Sequence, residues 1–122
     1  MGWYEPFPVS PDLIKWNVST DKPLIITEFG GEALYGQHGE LDNAHSWSEE
    51  YQEELYNKNL IMFKNIPNMR GICPWVLFDF RSPNRLHPLF QEGWNRKGLI
   101  SDKGQRKKAW YIMKNFYGEL DK

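Results

Sequence analysis

The sequence predicts an α/β chain of about two parallel strands with flanking helices, reading as part of a larger sheet. Two uninterrupted apolar runs, Leu24-Ile25-Ile26-Thr27-Glu28-Phe29 and Gly71-Ile72-Cys73-Pro74-Trp75-Val76-Leu77-Phe78, lack polar alternation, as strands buried on both faces do. Helical stretches stand before, between and after them, and that alternation implies parallel βαβ pairing with a right-handed crossover. The 122 residues are enough for one ordinary domain and too few for two. Two strands alone leave two open edges and cannot cover both faces.

The elements follow in order. Ser10-Pro11 suits a helix start, with Ser10 as cap, Pro11 at the first helical position and Leu13, Ile14 and Trp16 on the apolar side, ending near Ser19. The first strand then runs to Phe29 and is ended by Gly30-Gly31. Residues 31–45 are glycine-rich and aperiodic, hence loop. Ser46-Trp47-Ser48-Glu49 matches a capping box and opens a helix to about Lys64. Trp47, Tyr51 and Leu55 fall on one face of it, Leu60 and Phe63 continue a neighbouring stripe, and Asn65-Ile66-Pro67 stops it. In the second strand, Pro74 removes a ladder donor. Residues 82–97 read as a second long loop, and Gly98-Leu99-Ile100 as a short segment. A last helix over about 105–117 turns Ala109, Ile112, Met113 and Phe116 inward, with Lys107, Lys108 and Lys114 on its solvated side.

Composition excludes several functions. Fifteen Lys and Arg against sixteen Asp and Glu leave a formal charge of −1, so there is no electrostatic case for nucleic acid. No apolar run approaches the roughly 20 residues that span a bilayer, so no transmembrane helix is expected, and the N-terminal MGWYEPFPVSPD lacks the pattern of a signal peptide. One cysteine allows no internal disulfide, and no zinc framework, metal or cofactor is implied. Inside an apolar run, Cys73 reads as a buried, inert thiol. Aromatic residues make up 16% of the chain, which fits either a large aromatic core or a carbohydrate site where flat rings stack on sugar C–H faces.

In parallel α/β folds, functional residues cluster at the C-terminal ends of strands. Glu28 ends the first strand, Trp75 and Asp79 lie on the second, and Asn95 and Lys97 follow it. A carboxylate ending a buried strand is costly unless paired or used, so Glu28 is a structural ion pair, a helix-terminus contact or a catalytic carboxylate of the kind glycosidases employ. Lys97 is equally readable as a surface charge. His38, His45 and His87 lack metal-ligand spacing, though His38 could meet a hydroxyl. Glu32 and Asp42, in the loop after Glu28, could contact a substrate.

Thr27-Glu28-Phe29-Gly30-Gly31, after Leu24-Ile25-Ile26, resembles the nucleophile strand of glycoside hydrolase family 2, whose members include β-galactosidases, β-glucuronidases and β-mannosidases. Further segments agree in order. Gly2-Trp3-Tyr4 resembles the tail after strand six, and Trp75-Val76-Leu77-Phe78-Asp79-Phe80 resembles strand eight. Asn95-Arg96-Lys97-Gly98-Leu99 with Lys107-Lys108-Ala109-Trp110-Tyr111 resembles the barrel's ending. The resemblance implies that residues 1–122 are the C-terminal portion of a (β/α)8 TIM barrel, a partial catalytic domain of a longer enzyme. A whole barrel of that kind takes about 250 residues.

The same resemblance implies a carbohydrate substrate, a β-glycoside, and a retaining mechanism. Glu28 would be the nucleophile, and Trp75 an aromatic wall of the sugar subsite at a peptide often cis in this clan. Asp79 is included among the substrate-binding candidates with Trp75. Asn95 and Lys97 match an Asn-x-Lys pair that contacts the sugar carboxylate in β-glucuronidases, but a similar Asn-x-Lys-Gly occurs in galactosidase-like members and does not settle the sugar, and Phe78-Asp79-Phe80 leans toward galactosidase-type members. The family's acid/base is a Glu after an Asn, and the chain has no Asn-Glu dipeptide. The isolated chain is therefore expected to be inactive, since general-acid help is worth about 10²–10⁴ in rate. The alternatives are a non-catalytic carbohydrate- or protein-binding module, and a fragment that self-associates through open strand edges.

Overall fold

The computed structural model describes residues 22–40 and 46–120. The predicted first helix, Gly2-Trp3-Tyr4, Asp42 and His45 lie outside those residues. In chain order the elements are β1 (Leu24–Phe29), α1 (Glu49–Lys64), β2 (Met69–Pro74), β3 (Phe80–Arg81), β4 (Trp94–Asn95) and α2 (Lys108–Leu120).

β1 and β2 pair in parallel, from Leu24 opposite Met69 to Phe29 opposite Pro74, with α1 as the crossover. The second apolar run is not one strand. β2 ends at Pro74, the Trp75–Val76 peptide is cis, and the chain continues into a second parallel pairing. There Leu99 N–H donates to Val76 O, Ile100 N–H to Leu77 O and Asp79 N–H to Ile100 O, at 2.8–3.0 Å. Within the predicted loop, β3 and β4 form a small antiparallel pair, Phe80 opposite Asn95 and Arg81 opposite Trp94. Two paired residues a side are too short to stand out as a strand pattern.

α1 and α2 cover one face of the β1–β2 pair. Phe29 meets Phe63 edge-on, ring centroids 5.0 Å apart, and Tyr56 at 5.2 Å. Leu55, Leu60, Leu99, Ala109 and Met113 complete this core, with Ile112 and Phe116 half-buried against it. The expectation of burial on both faces is not met. Ile26 is 7% exposed but its neighbour Ile25 is 57% exposed. A register shift between Ile26 and Phe29 then leaves Thr27 and Glu28 both exposed. Cys73 is likewise exposed rather than buried, because β2 has a single helix-covered face.

Both helix starts differ from expectation. Ser48, not Ser46, caps α1, its Oγ accepting Tyr51 N–H at 3.0 Å while Ser46 Oγ donates to it. Trp47 sits before the helix at φ 55°, stacked on Phe90, instead of on the helix face. Glu49 does not reach back to its own cap. Its Oε1 accepts the Lys108 N–H at 2.8 Å, capping α2 from the neighbouring helix, and its Oε2 accepts the Gly36 N–H.

Candidate functional site

β1 and β2 end side by side, and their C-terminal ends carry the predicted residues. Glu28 is the penultimate residue of β1 and its side chain is exposed. The next residue, Phe29, accepts the Trp75 N–H at 2.7 Å, so the strand carrying the carboxylate and the tryptophan are tied through one backbone bond. Gly30 permits that approach. It lies at φ +148°, and a Cβ there would meet Trp75 O at 2.6 Å and the Tyr56 hydroxyl at 2.9 Å. The Trp75 indole is 39% exposed and meets Phe80 edge-on at 6.1 Å.

The Asn-x-Lys segment adjoins the same rim. Val76 N–H donates to Lys97 O at 3.2 Å, directly after Trp75. Asn95 and Lys97 are both largely buried, and Asn95 Oδ1 accepts the Lys97 N–H at 2.9 Å, closing an Asx turn. The ordinary-surface-charge reading of Lys97 thus does not describe its position. Glu28, Trp75, Asn95 and Lys97 are gathered by the fold at one end of the parallel strands.

Asp79 lies behind them. Its side chain is fully buried, and Oδ1 accepts the Gly98 N–H and the Lys107 ammonium, each at 2.9 Å. Arg96 stands 3.5 Å from Oδ2 and also holds Asp102 at 2.9 Å. The fully sequestered carboxylate has no face toward a solute. Gly98 is packed onto it so closely that a Cβ would sit 2.5 Å from Phe78 C and 2.6 Å from Asp79 Oδ1.

Lys107 corrects the expectation of a solvated lysine. It is fully buried, and its Nζ donates to Ala33 O at 2.6 Å, Asp79 Oδ1 at 2.9 Å and Arg96 O at 3.0 Å. An ammonium has three protons to place, and three acceptors are present. Burial pushes the Asp79 carboxyl up and the Lys107 ammonium down, and in each case the charge of the partner opposes the shift. Helical periodicity could not find this role, because Lys107 precedes α2 and the periodic face begins at Ala109.

The remaining candidates are committed within the chain. Glu32 accepts from Arg85 at 3.0 Å, Gln91 at 3.0 Å and the Arg96 N–H at 3.1 Å. His38 Nδ1 lies 2.8 Å from Glu50, which also takes the Gly39 N–H and the Lys108 ammonium. Partial burial raises the Glu50 carboxyl, but the bonds from Lys108, His38 and Gly39 outweigh it and hold the group down at about 2.

No protein-family model matches the chain. It is 34% identical over 119 residues to the β-glucuronidase of Streptococcus agalactiae, covering 91% of the chain, and 29% identical over 109 residues to that of Paenibacillus borealis, covering 89%. The chain spans only 19% and 17% of these relatives' lengths. Among solved structures, a GH2 β-galacturonidase from Eisenbergiella tayi bound to galacturonate superposes with a TM-score of 0.78 at 29% identity, covering 96% of this chain and 22% of that one. Ruminococcus gnavus β-glucuronidase gives 0.73 at 27% identity, covering 88% and 17%. Sequence and fold thus both place the chain with glycoside hydrolase family 2, the family its motifs resemble. Those relatives are β-glucuronidases and a β-galacturonidase.

Proposed function

We propose that residues 1–122 are the C-terminal part of the (β/α)8 barrel of a retaining β-glycosidase that acts on uronides, supplying the nucleophile while the acid/base lies elsewhere in the enzyme. The observation that carries the reading is the convergence of an exposed Glu28, the Trp75 ring and the Asn95–Lys97 turn at one end of the parallel strands. The exposed Ile25, Leu77 and Phe78 support membership of a larger barrel, whose neighbouring strands would cover them.

In this mechanism the Glu28 carboxylate attacks the anomeric carbon and the aglycone oxygen leaves with a proton from the acid. Water then attacks the glycosyl ester, returning a proton to that same group and freeing Glu28. Retention requires the two carboxyl groups to stand about 5–5.5 Å apart. Trp75 forms a wall beside the ring, Asn95 and Lys97 take the sugar's carboxylate, and Asp79 holds the turn that carries them.

The complete enzyme should hydrolyse aryl β-glucuronides or β-galacturonides, and Glu28→Gln should lower turnover by on the order of 10⁴-fold or more with KM little changed. The 122-residue chain alone should stay near background. Substantial turnover by Glu28→Gln would overturn the assignment of the nucleophile.

A further inference from the structure

We propose that Lys107, with Asp79 as its counter-ion, is a positioning residue that clamps the Asn95–Lys97 turn to the loop following the nucleophile strand. The inference rests on the uronide reading above and deepens it, because it names what fixes the groups that read the sugar's carboxylate.

Every backbone polar group of residues 96–98 is engaged. Arg96 N–H donates to Glu32, Lys97 N–H to Asn95 and Gly98 N–H to Asp79. Arg96 O accepts from Ala33 N–H and from Lys107, Lys97 O from Val76 N–H, and Gly98 O from Gln52 Nε2 at 3.2 Å. Loops ordinarily leave such groups to water. Here Asn95 within the turn and four neighbouring stretches, at residues 32–33, 52, 76–79 and 107, take them instead.

Two of those stretches adjoin the proposed chemistry. Glu32 and Ala33 lie four and five residues beyond Glu28, and Gln52 also donates to Gly31 O at 2.9 Å. Val76 follows Trp75. Lys107 is the point where they meet, since one buried ammonium binds a carbonyl on the loop after β1 (Ala33), a carbonyl within the turn (Arg96) and the carboxylate that holds Gly98. Without it, the buried Ala33 carbonyl and the Asp79 carboxylate lose their ammonium partner, and the turn is held to the Glu28 loop only by the Arg96 N–H bond to Glu32 and the Ala33 N–H bond to Arg96 O. The displaced groups are Asn95 and Lys97, which lie on the turn itself, whereas Glu28 is held separately by β1, so the effect falls on recognition of the sugar's carboxylate.

The test is steady-state kinetics of the complete enzyme on an aryl β-glucuronide or β-galacturonide, with Lys107→Met, Lys97→Met and the double variant. Lys107→Met is expected to raise KM about tenfold while kcat changes by less than about threefold. Combined with Lys97→Met, it should add little further, because both act on the same carboxylate contact. A merely structural residue would lower the folded fraction, and so kcat, and its effect would multiply with that of Lys97→Met. Where Lys107→Met does not fold, Asp79→Asn carries the same test, since the amide oxygen still accepts from Gly98 while the ion pair is lost. An unchanged KM in Lys107→Met or Asp79→Asn, or full multiplication with Lys97→Met, overturns the inference while leaving the uronide reading intact. An unchanged KM in Lys97→Met overturns the uronide reading and the inference with it.

Discussion

Gly98→Ala is the sharpest stability test the structure offers. A methyl group at this position would collide with Asp79 N and lie 2.5 Å from Phe78 C and 2.6 Å from Asp79 Oδ1, and backbone atoms cannot swing aside as a side chain can. To relieve the contact, residues 78–79 must move away from residue 98. That movement lengthens the Gly98 N–H bond to Asp79, now 2.9 Å, and strains the Asp79 N–H bond to Ile100 O, also 2.9 Å. Overpacking of a tight interior costs about 1–3 kcal/mol. Weakening a buried hydrogen bond to a charged group adds roughly 1–2 kcal/mol. Together these come to about 2–5 kcal/mol, equivalent to roughly 10–25 °C in Tm for a domain of this size. Gly118→Ala supplies the control. It lies inside α2 with nothing within 4 Å of its Cβ position, so it should stabilise by about 0.5–1 kcal/mol. Urea and thermal unfolding of the two variants beside the parent sequence decide the matter. A Gly98→Ala protein within about 0.5 kcal/mol of the parent would refute the close-packing argument.

Two further outcomes are expected. Glu50 is held at about 2 in the folded protein, below its ordinary value, so its contribution is complete above pH ~4.5 and is lost as the pH falls toward 2. Because its partners His38 and Lys108 are exposed, that contribution is about 1–2 kcal/mol. Glu50→Gln should flatten the acid limb of stability against pH in that window, and parallel curves would contradict it. The isolated chain, with Ile25 exposed beside open strand edges, should elute larger with rising concentration in size-exclusion chromatography. A monomer across the whole range would refute edge pairing.

Much of this was legible in the residues themselves. The apolar run ending at Phe29, the Tyr51, Leu55, Leu60 and Phe63 stripe, and the inward Ala109 and Met113 each follow from local periodicity, and each is found where it was expected. The candidate residues Glu28, Trp75, Asn95 and Lys97 were readable from their order along the chain, and the fold gathers them at one rim. Asp79 was readable as a residue of interest, but its burial away from that rim was not. Nor was the break in the second run at Pro74, or the small β3–β4 pair.

The chain's own order of residues determined which segments are helix or strand and which family they resemble, because periodicity, caps and short motifs are local. Tertiary structure alone decided what Lys107 is. Nothing within several residues of it distinguishes a solvated lysine from a sealed one. Its three partners come from positions 33, 79 and 96, far apart along the chain, and an ammonium stays buried only when all three protons find acceptors.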